Sequence, residues 1–477
     1  MKKDRSLKVN VILNSIKQIC SALIPLITIP YISRTLQANN YGKYSFANSI
    51  AGYITLIAGL GIQAYAVREG ARIRHDKEKF ARFSSEVFTI NVFTTTVAYA
   101  CLLILSVTPK MQPYKELLFI QSCVVLFTTI GTDWVNTIYE DYGYLTIRYL
   151  IFQVLSIAAM FILVREPNDY LVYAAIVSVA SAGANILNIA HVRKYTRIKF
   201  VLRPRFKKHM PPILLLFANQ MAVTIYVNSD ITLLGLLSDD YSVGIYSVAS
   251  KIYAIIKQLL NSVVTVAVPR LSALLGQKNE PQYIKICNKI LNSLITVLMP
   301  AIVGLFFTSE YIIRIVGGTT YEDGAVALKI LSLSLLFATI ACFYTNCILL
   351  PFKMDKALLS STIAGAVTNI LLNMYFIPKF GVNGAAMTTV VGEAVVCICA
   401  HIKASKIVNV EIKKNTILSS GAGCFLIAVI CMTVPSVVTN WIAIFAVDII
   451  FSIAAYFVCL LLLGNDLLKE VMEGMRK

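Results

Sequence analysis

Eight ionisable side chains interrupt otherwise apolar stretches of the 477-residue sequence: Lys17, Asp133, Asp230, Lys251, Lys257, Lys329, Glu393 and Asp448. At the centre of a membrane helix each costs roughly 2.5 to 3.5 kcal/mol on insertion scales, so they cannot all face lipid. Four are acidic and four basic, which permits internal pairing, and those near a helix end can snorkel to water. Lysine is a compact cation that can hold an anion. A lone carboxylate in an apolar helix can change protonation as its surroundings change, so Asp230, Asp133 and Glu393 are candidates for coupling to an H+ or Na+ gradient. For Asp230 a salt bridge to Lys251 or Lys257 is the alternative. Metal and cofactor chemistry has no support: the eleven Cys lie mostly in apolar runs without Cys-x-x-Cys spacing, and the four His stand far apart beside basic loops. There is no P-loop to bind ATP.

Helical geometry groups these residues. At about 100° per residue, Asn10, Asn14, Lys17, Ser21 and Thr28 fall within one arc, as do Ser247, Lys251, Gln258, Ser262 and Thr265. A third line runs through Ser45, Asn48, Gly52, Thr55, Gly59 and Gln63, and a fourth through Asn219, Tyr226 and Asp230. Small polar residues also serve helix packing in membranes, but lysines on such stripes fit a watered cavity better. The substrate-binding candidates are therefore Lys17, Asn14, Asn48, Lys251, Lys257, Gln258 and Asn219. Lys257 falls roughly 100° from the centre of its helix's stripe.

The elements that position them are membrane helices. Hydrophobic residues make up 57% and charged residues 14%, against about 25% charged in a soluble domain, and mean hydropathy is +0.72. No hydrophilic stretch reaches the minimum domain size of about 50 residues, which excludes a soluble catalytic domain. A crossing needs about 20 apolar residues. Fourteen spans are expected, at 9–33, 43–67, 86–108, 116–139, 145–164, 169–191, 210–237, 241–269, 286–308, 326–350, 356–378, 382–402, 415–434 and 441–464, the last two parted at Pro435-Ser436. Placing the N-terminus inside assigns 32 of the 43 Lys and Arg to cytoplasmic segments and 7 to outer loops, so both termini read as cytoplasmic. The net charge of +18 is thus a topology signal and not a sign of nucleic acid. The basic N-terminus lacks an A-x-A cleavage site and reads as an uncleaved first span.

The segment Gly42-Lys-Tyr-Ser-Phe-Ala-Asn-Ser-Ile50 returns as Gly244-Ile-Tyr-Ser-Val-Ala-Ser-Lys-Ile252, an offset of 202. Spans one to six and seven to twelve therefore read as two copies of one bundle in the same orientation, residues 1–200 and 201–405, followed by a helix pair and tail at 406–477. Parallel repeats of this kind place a substrate near the membrane midplane between lobes that rock.

The run Leu236 to Ile252, its counterpart Leu36 to Ala47, and Asp133-Trp134 followed by Glu140-Asp-Tyr-Gly-Tyr-Leu-Thr-Ile-Arg148 resemble the polysaccharide transporter (Wzx-like) flippases of the multidrug/oligosaccharidyl-lipid/polysaccharide superfamily. The resemblance covers about residues 8 to 405. In that family an aromatic-Gln-Gly segment commonly follows the Asp-Trp, and Val135-Asn136-Thr137 stands here instead. The resemblance implies an all-α membrane protein of two six-helix lobes around a cationic cavity, with spans thirteen and fourteen as an added pair. It implies a flippase, not an enzyme, that moves undecaprenyl-pyrophosphate-linked oligosaccharide from the inner to the outer leaflet of the bacterial cytoplasmic membrane for capsule or O-antigen. A polymerase and glycosyltransferases would be its partners beside membrane lipids. A cation-coupled multidrug exporter is the alternative, and a membrane polymerase or glycosyltransferase a second one.

Overall fold

The computed structural model describes residues 7–468, and within its first helix the side chains of residues 7–16, 18, 19 and 22 lie outside what is described. The fold is 87% helix, with no strand among the described residues. In hydrocarbon every backbone N–H and C=O must bond within its own segment, which closes apolar runs into helices. Among the described residues, twelve helices are long and apolar enough to cross a membrane. Two of them exceed one crossing and carry a break: α1 (Leu7–Gly59) at Gln37, with φ 60° and ψ 170°, and α12 (Asp355–Ala404) at Gly381, with φ 52° and ψ −127°. Taking each side of a break as one crossing gives the fourteen expected.

Four boundaries differ from the sequence reading. The loops expected between spans one and two and between eleven and twelve are breaks at one residue, each at positive φ. The span expected at 116–139 stops early: α4 (Lys115–Gly131) ends where Thr132 takes φ 43°, α5 (Trp134–Ile138) follows, and Glu140 at φ 55° turns the chain into α6 (Tyr142–Leu163). Asp133 therefore stands in a turn and not inside a span. The last pair parts beyond Pro435: α13 (Lys414–Val437) runs through it, and the Asn440 side chain caps α14 (Trp441–Leu462) by accepting from the Ile442 N–H at 2.9 Å.

The chain forms two compact units, one ending at Gly244 and one beginning at Ile245. The first holds α1, α2 (Ile62–Ile73), α3 (Lys77–Ser106), α4 to α6, α7 (Tyr170–His191), α8 (Phe206–Leu237) and the first turn of α9 (Asp240–Gly276). This grouping carries past residue 200, because α8 is tied to its neighbours at both ends. Buried Glu86 of α3 accepts from Arg205 Nε at 3.0 Å and shares a 2.8 Å hydrogen bond with His209 Nε2, and Thr232 donates to Ser49 Oγ at 3.0 Å. The second unit holds the rest of α9, α10 (Glu280–Gly317), α11 (Gly324–Phe343) and α12 to α14, around a core that includes Tyr283, Leu291, Phe343 and Ile348.

The two glycines of the repeated motif meet. A Cβ on Gly42 would fall 1.7 Å from the Asp240 carbonyl oxygen and 2.9 Å from Gly244 N, and one on Gly244 would fall 1.9 Å from the Ala38 carbonyl oxygen. Only glycine lets the backbones of α1 and early α9 cross so closely.

Candidate functional site

The first unit contains a cavity of about 930 Å³. Beyond its break, α1 contributes Asn48, Gly52, Thr55 and Gly59, which recur every three or four residues and so share a face. Gln63 and Arg68 come from α2, Gln121 from α4, Ser178 and Ser181 from α7, and Gln220, Thr224 and Asn228 from α8. Glycine leaves the room open: a Cβ on Gly59 would meet nothing within 4 Å, and one on Gly52 only Asn228 Nδ2 at 3.5 Å. Gln121 is buried; its Nε2 donates to the Tyr44 carbonyl at 3.4 Å, while its Oε1 has no partner within the protein. Leaving such an oxygen unsatisfied costs about 1–3 kcal/mol, so it calls for water or a ligand donor. Arg68, with its Nε 3.1 Å from Glu69 Oε1, is the one charged residue among the described residues that line the cavity. Amides and hydroxyls both donate and accept, so these side chains can hydrogen-bond a hydroxyl-rich guest, between apolar residues such as Leu56, Val67 and Val177.

Of the binding candidates in the first unit, Asn48 is on this wall. Asn219 is exposed on α8, whose Gln220, Thr224 and Asn228 line the cavity from roughly 140° further round at 100° per residue. Lys17 is half-buried and off the wall, its Nζ 5.5 Å from the Tyr149 ring centroid. The side chain of Asn14 lies outside the described residues. In the second unit Lys257 is ion-paired with Glu393, to which the Tyr253 hydroxyl also donates at 3.4 Å. Gln258 beside it is exposed. Lys251 is half-buried and Asp230 buried, and both are partnered. Asp133 accepts from Arg148 Nη2 at 3.1 Å and from Asn188 Nδ2 at 3.0 Å. Arg148 is buried in α6.

Sequence reasoning passed over Arg68, Gln121, Gln220, Thr224 and Asn228. The spacing of the last three is as regular as that of the line through Asn219, so the signal was there and a neighbouring arc competed with it. Gln121 is a single amide in an apolar helix and carries no period. Arg68 entered only as a topology charge.

The solved structure titled "Lipid II flippase MurJ, inward closed conformation" superposes with a TM-score of 0.78 at 17% identity, covering 96% of this chain and 100% of that one. An inward-facing multidrug resistance MATE family transporter of the MOP superfamily gives 0.56 at 14% identity, over 81% and 97%. At these identities the likeness is one of fold. In sequence, the "Putative O-antigen transporter" of Escherichia coli (strain K12) is 24% identical over 399 residues, 82% of this chain and 95% of that one. The "Capsular polysaccharide biosynthesis protein CapF" of Staphylococcus aureus is 23% identical over 397 residues, 80% and 95%. The family described as "Polysaccharide biosynthesis protein" matches residues 7–275, more than half of the chain. The chain belongs to that family.

Proposed function

We propose that this protein is a flippase that carries an undecaprenyl-pyrophosphate-linked oligosaccharide from the inner to the outer leaflet of the bacterial cytoplasmic membrane, for a capsule, O-antigen or similar polymer, without catalysing a reaction. The observation that carries this reading is the cavity wall of neutral amides and hydroxyls with an unsatisfied Gln121 oxygen. An oligosaccharide head is too polar to cross hydrocarbon, whereas its lipid tail can stay in the bilayer. A cavity that offers the head hydrogen bonds lowers that barrier when it opens alternately to either side. The names of the two bacterial relatives support the substrate class.

Arg68, on the cavity wall, is the cation this reading assigns to the pyrophosphate, and Lys17 in the first unit and Lys251 in the second are separate candidates for holding an anion. Coupling to an H+ or Na+ gradient falls to Asp230, which shares α8 with cavity-lining Asn228; Asp230→Asn then abolishes gradient-driven transport and spares passive exchange. Both termini are cytoplasmic, and the polymerase and glycosyltransferases of the pathway are the working partners. A multidrug exporter for cationic drugs calls for carboxylates, and none is among the residues lining this cavity.

Deleting the gene tests the proposal. Lipid-linked oligosaccharide accumulates in the inner leaflet, wild-type protein restores export, and a Gln121→Leu, Asn228→Leu double variant present at normal level does not. Export at the wild-type rate in the deletion strain overturns the reading.

A further inference from the structure

A lateral cavity of about 410 Å³ lies in the second unit, between α9, α10, α13 and α14. Its shape begins with Pro300, which falls inside α10 and brings no N–H. The Thr296 carbonyl four residues earlier is thereby left without its helical donor, and the Tyr456 hydroxyl of α14 donates to it at 2.6 Å. That bond pins the two helices together at one level. One turn on, Gly304 has no side chain, and a Cβ there would meet nothing within 4 Å, so this stretch of wall is open. Pro300, Gly304 and Thr308 recur every four residues along α10, and Asp448, Ser452 and Tyr456 do so along α14, so each helix turns one face to the cavity. Ile427 of α13 and Ile256 of α9 also line it.

The lining is mostly apolar, and Asp448 is the one carboxylate among the described residues that form it. Its side chain is buried, 1% exposed, and its Oδ1 has no hydrogen-bond partner within the protein. The hydroxyls beside it are directed elsewhere: Thr308 donates to the Gly304 carbonyl at 2.6 Å, and Ser452 Oγ stands 3.9 Å from Cys431 Sγ. Cations of the same helices are engaged too. Lys257 of α9 pairs with Glu393, and Arg314 of α10 lies 3.6 Å from Glu322 and 4.8 Å from the Trp441 ring centroid. On the adjoining edge of α14, Ile449, Ile453 and Phe457 line the cavity and are exposed, so its mouth opens sideways onto lipid. Asp448 stands about 10 Å along α14 from the start of the helix at Trp441, a depth within the hydrocarbon. From this geometry we infer that the cavity binds a single-chain amphiphilic amine entering from the bilayer, its apolar body along Pro300, Gly304 and Ile427 and its protonated nitrogen donating to Asp448. A carboxylate oxygen only accepts, and a charge-assisted N–H···O bond is about twice as strong as a neutral one. A wholly apolar guest fills the same space and leaves that oxygen without a donor. The amine of a phospholipid is held among the headgroups by its phosphate and does not reach this depth, so the guest carries no phosphate. The cavity shares no lining residue with that of the first unit, and binding there is independent of what the first cavity carries.

A photoreactive dodecylamine with a diazirine in its chain, added to the full-length protein in phosphatidylcholine nanodiscs, provides the test. After irradiation, peptide mass spectrometry places adducts on the stretches of α10, α13 and α14 that line this cavity. Unlabelled dodecylamine suppresses them at about one-tenth, or less, of the bilayer mole fraction that dodecanol needs, the range of one charge-assisted bond. Phosphatidylethanolamine at the same mole fraction leaves them unchanged. Asp448→Asn takes up about tenfold less label at an unchanged melting temperature, Asp448→Glu keeps most of it, and Gln121→Leu in the first unit has no effect. Equal suppression by the alcohol and the amine in the wild type overturns the inference, since the cavity then takes any chain of that length. So does wild-type labelling of Asp448→Asn, and so does suppression by phosphatidylethanolamine, which would assign the site to a bilayer lipid.

Discussion

The second half of α1 and the start of α9 are copies of one motif, yet they use it differently. At the repeat offset of 202, Asn48, Gly52 and Thr55 correspond to Ser250, Ala254 and Lys257. The α1 residues line an open cavity with neutral groups. In α9, Lys257 is closed on Glu393, with Tyr253 beside it. What both copies keep is the glycine crossing, where backbone approach leaves no alternative. The comparison teaches that the two copies of the motif share the close approach that sets helix position, while the polar face lines a cavity in one copy and closes on an ion pair in the other.

Removing one side of the ion pair breaks this contrast most severely. Glu393→Leu leaves Lys257 without its counter-ion and is expected to cost about 3–5 kcal/mol, read as a fall in melting temperature in detergent, while Lys257→Leu, Glu393→Leu together recovers most of it. Next in size is filling the cavity. Gly52→Phe lowers export more than tenfold at normal protein level, and its melting temperature stays near that of the wild type because the ring enters open space. A smaller effect belongs to the wall itself: Gln121→Leu or Gln220→Leu alone lowers the export rate by about two- to tenfold, the range of one lost hydrogen bond. For Arg68, Lys retains more export than Gln if charge is what the site uses, and equal rates for the two variants exclude Arg68 from anion binding.

The smallest effect concerns pH. Asp141, in the turn before α6, is opposed by burial, but hydrogen bonds from Tyr195 and His191 and the charge of Lys194 outweigh that and hold its carboxyl below the usual aspartate range. Its folded pKa lies under its unfolded one, so its contribution is present above about pH 4 and lost as pH falls through the folded value. Asp141→Asn makes the loss of stability between pH 5 and 3 shallower in detergent unfolding curves.

The spans were legible because hydropathy and Lys/Arg placement both act over whole segments. The α1 stripe was legible too, since Asn48, Gly52, Thr55 and Gly59 carry a helical period along one helix. The pairing of Lys257 with Glu393 joins residues 136 positions apart, and no local period records it. Asp133 and Arg148 were both visible, but reading 116–139 as one span hid the turns at Thr132 and Glu140 that bring them together. Gln121 shows the limit most plainly: one amide has no pattern, and its meaning comes from the space it faces.

If the first cavity carries a sugar head as proposed, its amides and hydroxyls have a kinetic consequence. A hydroxyl that moves from water to a Gln or Asn side chain exchanges one hydrogen bond for another of similar strength, so the net gain per contact is small. A carrier with such a wall holds its cargo in a shallow well. Release on the far side then needs little activation, and cargoes that differ in sugar sequence but share a density of hydroxyls pass at similar rates. Selectivity, on this account, comes from the lipid and its phosphates, and turnover from the weakness of the grip on the sugar.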